Sequence, residues 1–370
     1  MDISKLNSPI QFLTRAFQYE GTKLHPNILL MCKLLVLLIT AHHFIYKISD
    51  PFIPFIPALD ELNNYPNVFK FTLRTLFIIS ALALMFNIKV RTATLTAGSI
   101  VIISILASKP MFYNHTFICG CALFLAGLTN AKDSPYLLIL QLSLVYFGAS
   151  INKFLDTDWW SGAFMDTWLG TARENPVYLY FRKALPELVL AKLLSYIAMF
   201  TEFAIAILIL FKRTRHLTLW FIIIFHTTLF TLTSFRFGHF IESLAIVLLA
   251  FLSIPKEQLI IHYNPSKKQI KSFFKFLDRD KKQLWSISES NTINWLTLNI
   301  KNKGVLHNHT ALKEILLSTP NFFMLIFLID IALYIFLYNH RTTLFISNTI
   351  FVWSMILYFL PVKWTKRSVK

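Results

Sequence analysis

The sequence predicts an all-α polytopic membrane bundle of about eight spans plus a C-terminal apolar hairpin, with a small α/β module on the cytoplasmic side. Hydrophobic residues fill 55% of the 370 positions and charged residues only 15%, whereas soluble globular chains carry about 25% charged residues. Long apolar runs recur along the chain, and a polar, Lys-rich stretch interrupts them at residues 256–320. A soluble protein of this length cannot bury so much apolar surface.

A membrane-crossing helix needs roughly 20 apolar residues. Before the polar stretch the predicted spans, of which the third is short, are Ile28–Ile48, Phe69–Ile88, Thr94–Ala107, Tyr113–Leu128, Tyr136–Leu155, Leu188–Phe211, Leu217–Phe235 and Phe240–Ile254. Phe322–Tyr338 and Leu344–Leu360 form the predicted hairpin. In an alternative reading, the first of these two packs on the module and only the second crosses.

These runs divide the chain into five regions. The predicted regions are an N-terminal arm (1–26), in which Ser8–Gln18 forms an interfacial helix, a transmembrane domain (27–255), the α/β module (256–320), the hairpin (321–362) and a basic tail (363–370).

The formal net charge of +17 follows the loops. Lys and Arg crowd into the N-terminal arm, the connections at 89–91 and 212–215, and the tail, while Asp50–Asn67 contains neither. Basic loops face the cytoplasm, so both termini are expected there. No basic stripe alternates with aromatic residues, and nucleic-acid binding is therefore not expected. The cysteines, all in apolar runs and read as core residues, are Cys32, Cys119 and Cys121.

The polar stretch alternates short strand-like and helix-like segments. In order they are Gln258–Tyr263, Ser266–Asp280, Gln283–Ser288, Ser290–Lys301, Gly304–His307 and Thr310–Ser318. This βαβαβα rhythm predicts a module with one layer of strands and one of helices.

Ionisable groups inside apolar spans mark functional sites or paired networks because burying them in hydrocarbon is costly. His115 and Lys153, each at a span end, are placed at one depth by the predicted topology, and an amine with an imidazole forms a candidate acid/base pair. Further candidates, for substrate binding or support, are Asn114, Asp156, Asp158, Trp159, Glu202, His226, Arg236 and His239.

Each candidate also has a purely structural interpretation. Lys153 and Arg236 lie close enough to span ends to extend to the interface, and His239 can cap a span. Glu202 can pair with His226 and lock two helices together.

Two motifs resemble one known family. Tyr113-Asn114-His115-Thr116-Phe117, at the head of an apolar helix, resembles the Asn-His segment of vitamin K-dependent gamma-carboxylase and of related bacterial HTTM membrane domains. Val145–Gly162 (VYFGASINKFLDTDWWSG) is similar to the carboxylase segment in which a helix ends in Lys and continues into Asp-x-Asp-Trp-x-x-Gly, here Asp156, Asp158, Trp159 and Gly162. Glu202 and Phe225-His226 also fit, and the resemblance covers roughly residues 27–254.

The resemblance implies that His115 contacts a quinol, the reduced quinone being the cofactor, and that Lys153 is the catalytic amine. Asn152 stands where the family has a first Lys, and one extra residue separates Lys153 from the Asp-x-Asp-Trp motif. Since no large extracytoplasmic domain follows, protein gamma-carboxylation itself is not expected.

The module has a resemblance of its own. Leu259–Asp280 (LIIHYNPSKKQIKSFFKFLDRD) resembles the opening of DCC-type thiol-disulfide oxidoreductases, which have a thioredoxin-like fold, begin with a strand and Tyr-Asp-Gly, and carry Cys-x-x-Cys at the helix start. Here Asn264-Pro265 replaces Asp-Gly, and Ser266–Ile270 contains no cysteine. Thiol exchange requires a thiolate, so we expect the module to be catalytically dead.

The preferred hypothesis is an HTTM-type protein of a bacterial inner membrane that oxidises a quinol or another lipid-soluble substrate at the outer face. The alternative is a non-catalytic membrane protein that binds a lipid or peptide partner and uses the module as an adaptor.

Overall fold

The computed structural model describes residues 9–130, 135–233, 238–251, 254–255, 257–288, 294–301 and 304–336. The chain forms two compact units. Among the described residues, the first unit comprises those up to 130 together with 246–335, and the second comprises 135–245 and Phe336.

The first unit opens with six helices: α1 (Pro9–Thr14), α2 (Pro26–Ala41), α3 (Phe44–Lys47), α4 (Pro66–Met85), α5 (Val90–Leu106) and α6 (Asn114–Leu128). Proline at the first turn starts α2 and α4, where its missing N–H loses no hydrogen bond. The predicted interfacial helix forms α1 and a following 3-10 turn, Arg15–Phe17. Burial is deepest in α2, where nearly every residue from Asn27 to Ile39 is inaccessible.

Helices α5 and α6 pack with their backbones in close contact. A Cβ placed on Gly98 would lie 2.4 Å from the backbone nitrogen of Phe124, and one on Gly127 would lie 2.9 Å from the backbone nitrogen of Leu95. Small residues allow the backbones of membrane helices to approach each other closely. Close packing matters there because van der Waals contact, and not the hydrophobic effect, drives helix association in lipid.

The second unit contains α7 (Tyr136–Phe154), α8 (Thr157–Ser161), α9 (Ala163–Asp166), α10 (Pro176–Lys183), α11 (Val189–Leu208), α12 (Arg215–Leu232) and the start of α13 (Gly238–Leu248). Between α7 and α11 the connection folds into short helices and a π-helical turn, Thr167–Ala172. Asn175 starts α10, accepting a hydrogen bond from the Tyr178 backbone N–H and donating one to the Leu232 carbonyl.

Each of the eight predicted spans corresponds to a helix, but their lengths differ. Four helices of the described chain are long and apolar enough to cross a membrane, namely α4, α7, α11 and α12. Shorter apolar helices of 10–17 residues stand at the other positions: Pro26–Ala41, Val90–Leu106, Asn114–Leu128 and His239–Phe251. These fall short of the ~20 residues that a perpendicular crossing needs, so the count of eight crossings stays a prediction.

The module is a four-stranded sheet of order β2-β1-β3-β4. Its elements are β1 (Leu259–Tyr263), α14 (Lys268–Leu277), β2 (Gln283–Ile287), β3 (Leu296–Ile300), β4 (Gly304–His307) and α15 (Asn308–Leu317). β1 and β2 are parallel, while β3 is antiparallel to both β1 and β4.

The predicted βαβαβα rhythm is wrong at its fourth element. Ser290–Lys301 was expected to be helical, but Leu296–Ile300 forms β3. Leu296, Leu298 and Ile300 alternate with half-buried Thr297 and Asn299, and this period of two places one face of a strand in the core.

The expected layering is confirmed. Phe274 of α14 and Ala311 and Ile315 of α15 share one buried cluster with Leu298 and the other inward residues of the sheet. A single cluster that joins both helices to the strands means that the helices cover the same face of the sheet.

The N-terminal arm ties α2 to the module within the first unit. The buried Lys33 of α2 donates from Nζ to the carbonyls of Arg15, Ala16 and Gln18 at 3.3, 2.8 and 3.1 Å. Just beyond, Asp280 accepts hydrogen bonds from the backbone N–H groups at positions 19 and 20. Burial raises the pKa of the Asp280 carboxyl, and these two donors partly oppose that shift.

The apolar run after the module forms α16 (Pro320–Phe336). It follows α15 across a short break at which the chain bends by 75° between Asn308–Leu317 and Pro320–Leu333. Phe323 and Phe327 are fully buried. The second half of the predicted hairpin, Leu344–Leu360, and the basic tail lie outside the described residues.

Candidate functional site

The second unit holds a partly buried ion pair between two helices of span length. Lys153, in the last turn of α7, bonds Glu202 of α11 through Nζ and Oε2. The two side chains are only 18% and 10% exposed. Lys153 also donates to the Ala149 carbonyl at 3.3 Å and lies 5.1 Å from the centre of the Trp159 ring. Its ammonium therefore lies among a carboxylate, a carbonyl and an aromatic face, all of which stabilise a cation.

Two turns earlier on α7, Tyr146 contacts His226 of α12. The Tyr146 hydroxyl and His226 Nε2 are 2.7 Å apart, and both side chains are buried. The phenyl ring of Phe240 lies 5.0 Å from the imidazole, so apolar surface covers the ring. This contact provides a second pair of protonatable groups, buried between α7 and α12.

The two pairs form one cluster. Tyr146 and Lys153 are seven residues apart, two helical turns, and so lie on one face of α7. Lys153 bonds Glu202 of α11, and Tyr146 bonds His226 of α12. Four side chains that can hold or move a proton thus converge from α7, α11 and α12. We call them the α7 cluster.

The alternative pairing of Glu202 with His226 is wrong as a description of the fold. Glu202 bonds Lys153, and His226 bonds Tyr146. Lys153 lies in the last turn of α7, where extension to the interface was the structural expectation, but its ion pair with the buried Glu202 carboxylate draws its side chain towards α11.

The Asp-x-Asp-Trp motif follows the α7 cluster. Asp156 caps α8, accepting from the Asp158 backbone N–H at 3.0 Å, and both carboxylates are exposed. Trp159 stacks on Phe164 with ring centres 4.4 Å apart. The Trp159 ring also lies 5.1 Å from the Lys153 ammonium. Trp159 therefore closes the end of the cluster, whereas Asp156 shapes the turn.

Asn114 and His115 lie in the first unit, in the first turn of α6. The His115 ring packs edge-on against His42 at 6.0 Å and stacks with Tyr113 at 5.7 Å. Asn114 is exposed. Because His115 and Lys153 belong to different units, their predicted pairing stays a prediction.

At the start of α13, His239 Nδ1 lies 3.2 Å from the buried Glu242 carboxylate. The pair spans one helical turn and belongs to the second unit, and His239 is 40% exposed. Arg236 lies outside the described residues.

Sequence reasoning missed Tyr146 and Lys33. Spacing could have identified Tyr146, because a residue two helical turns before Lys153 lies on the same face of the helix. Lys33 interrupts an otherwise apolar run, and a buried Lys at such a place needs several acceptors. Those acceptors are carbonyl groups of the arm, 15 to 18 residues earlier in the chain.

Apolar helices of span length, with charged pairs turned inward, define the class as an integral, multi-pass membrane protein in contact with the lipid bilayer. Residues 134–253, about a third of the chain, match the HTTM domain family. The match supports an HTTM-family membrane protein, and it coincides closely with the second unit, which carries the α7 cluster. No curated protein and no solved structure matches the chain.

Proposed function

We propose that the α7 cluster is a proton-transfer site for a lipid-soluble substrate that carries an acidic hydroxyl, such as a quinol. The observation that supports this most is the Lys153–Glu202 ion pair, which lies between two apolar helices beside a second protonatable pair. Ionisable groups so placed are expensive in a bilayer and typical of sites or proton relays.

The chemistry follows from the contacts. Glu202 stabilises Lys153 as an ammonium, which can stabilise the phenolate that forms when a quinol loses its proton. The imidazole of His226, hydrogen-bonded to Tyr146, is the candidate acceptor of that proton. In this proposal Lys153 acts as a cation that stabilises negative charge, whereas the resemblance implied that it acts as a free amine. For Lys153 to be a free amine, Glu202 would have to take the proton of the ammonium.

Complete oxidation removes two protons and two electrons from the quinol. The cluster supplies the proton steps, and dioxygen in air-saturated buffer is a sufficient electron acceptor, being reduced to hydrogen peroxide. His115 is proposed to contact the substrate, as in the carboxylase-like reading.

The test uses the full chain in detergent with reduced menaquinone in air-saturated buffer, following quinone formation by absorbance. We expect Lys153→Met and His226→Phe each to reduce turnover at least 100-fold, the scale of a lost acid/base or oxyanion-stabilising group. Lys192→Met is the matched control, because Lys192 of α11 is exposed and also lies over an aromatic ring, that of Tyr196. Equal turnover by Lys153→Met and the control would refute the proposal.

The second candidate function is a non-catalytic lipid- or peptide-binding membrane protein. The observation that favours it is that the Lys153–Glu202 pair joins α7 to α11 and can serve as an interhelical lock. In that case the wild-type protein does not oxidise reduced menaquinone, and the substitutions change only its stability. The menaquinone assay therefore separates the two functions.

The module is proposed to be a degenerate DCC-type, thioredoxin-like adaptor. A parallel β-α-β unit followed by an antiparallel hairpin and a helix supports that fold, and the chain's three cysteines lie in α2 and α6 rather than in the module. The hydrogen bonds that its Asp280 accepts from the arm support a structural role. Reporter fusions at Asp60 and Ser288 test the proposed inner-membrane topology, with the first expected outside and the second in the cytoplasm.

A further inference from the structure

A cationic cavity lies where α4 ends and α5 begins, in the first unit. It has a volume of about 830 Å³, and its lining includes Arg15, Lys23, Lys89 and Arg91. Since α4 is a helix of span length, its end lies at the level of a membrane surface. The cavity therefore opens where lipid headgroups and aqueous ions are both present.

The positive charge of this cavity is left largely uncompensated. Glu20 is the acidic residue of the lining, and it is already paired with Lys282, with 2.5 Å between Nζ and Oε1. Lys23 and Lys89 are exposed and have no carboxylate partner among the residues that the structure describes. Arg91 donates to the Gly127 carbonyl, which holds its guanidinium in place without neutralising it.

The backbone N–H groups at the start of α5 add to the positive potential that the cationic side chains create in the cavity. Val90, Arg91 and Thr92 line the cavity and are the first three residues of α5, whose first N–H groups have no intrahelical acceptor. The preceding residue, Lys89, makes no capping hydrogen bond, and no acidic residue stands in the first turn. The positive end of a 17-residue helix thus faces the same space as four cationic side chains.

We propose that this cavity binds the phosphate group of an anionic ligand, with a phospholipid headgroup and free phosphate as the two sources of that chemistry. The arrangement combines cations with uncapped helix N–H groups, which is how proteins hold phosphate, and basic pockets at the ends of membrane helices hold anionic headgroups. The site lies apart in sequence from the α7 cluster and does not depend on the proposed function.

The test measures ligand-induced shifts of the thermal unfolding midpoint for the full chain in neutral detergent. One arm adds short-chain phosphatidylglycerol, a second phosphatidylcholine, and a third inorganic phosphate. The variant Lys23→Gln/Lys89→Gln removes the two exposed cations. Lys47→Gln/Lys109→Gln is the matched control, which removes two exposed lysines beyond the opposite ends of α2 and α5.

We expect phosphatidylglycerol to stabilise the protein, phosphatidylcholine not to, and the Lys23/Lys89 variant to bind phosphatidylglycerol about 30-fold more weakly, since each Lys facing an anionic headgroup contributes roughly a factor of five. Stabilisation by inorganic phosphate with the same dependence on Lys23 and Lys89 would support the site and identify free phosphate as the source. Binding that is unchanged in this variant, or lost equally in the control, would overturn the proposal, as would the absence of any shift with both anions.

Discussion

Removing Glu202 tests how much the Lys153–Glu202 ion pair contributes to the stability of the fold. In Glu202→Leu the ammonium stays between α7 and α11 but loses the ion pair. Breaking a buried ion pair costs about 3–5 kcal/mol. The pair is only partly buried, and Lys153 keeps the Ala149 carbonyl and the Trp159 ring, so we expect a loss of about 2–3 kcal/mol, just below that range.

The double variant Lys153→Met/Glu202→Leu separates the ion pair from the packing around it. Replacing both charges with apolar side chains of similar volume leaves no unpaired charge in the bilayer. We expect its stability to lie within about 1 kcal/mol of the wild type. The double-mutant cycle should then give a coupling energy of at least about 2 kcal/mol.

The assay is reversible unfolding in mixed micelles with increasing SDS, followed by circular dichroism. The Lys70–Asp50 pair provides the control, because its aspartate side chain is 54% exposed and such surface pairs contribute about 0–1 kcal/mol. A coupling energy near zero for Lys153–Glu202, or one no larger than that of the control pair, would refute the reasoning that this pair is shielded from water.

Three further predictions concern the first unit and the membrane helices. Lys33→Met should destabilise the protein by about 2–4 kcal/mol, because buried carbonyls of the arm lose their donor, whereas Lys47→Met should change stability by less than about 0.5 kcal/mol; SDS titration measures both. Gly98→Ala should cost about 1–3 kcal/mol by forcing α5 and α6 apart, while Gly148→Ala, with open space at its Cβ, should be neutral or stabilising in the same assay. The raised pKa of Asp280 means that the folded state binds its proton more tightly, so its stabilising contribution is complete below the ordinary value of 3.8 and is lost as pH rises through the folded pKa. Asp280→Asn should abolish this gain on acidification from pH 7, and a wild-type and variant pair with parallel thermal midpoints across that window would contradict it.

The helical framework was predictable because a bilayer restricts spanning segments to long apolar helices. Each predicted apolar run before the module contains a helix. The module was harder to predict: β3 had to be distinguished from a helix over five residues, and the burial of alternate leucines is a property of the folded sheet.

The candidate site was predictable in its residue types but not in its pairings. A charged residue in an apolar run predicts that a partner exists and leaves the partner open. Helix packing brings Lys153 to Glu202, which lies 49 residues away, and Tyr146 to His226, which lies 80 residues away. The cationic cavity likewise joins the arm to the turn between α4 and α5, two segments separated in the chain by α2, α3 and α4.

The sequence by itself determined that this chain is an integral membrane protein, which loops are basic, and which apolar runs carry charge, because these follow from composition and spacing along one segment. Only the tertiary structure decided that Glu202 binds Lys153 and not His226. It also decided that the arm accepts hydrogen bonds from Lys33 and donates them to Asp280, and that four cations share one cavity. Such contacts depend on which faces of distant helices meet, and a face meets its partner through packing of whole elements rather than through local propensity.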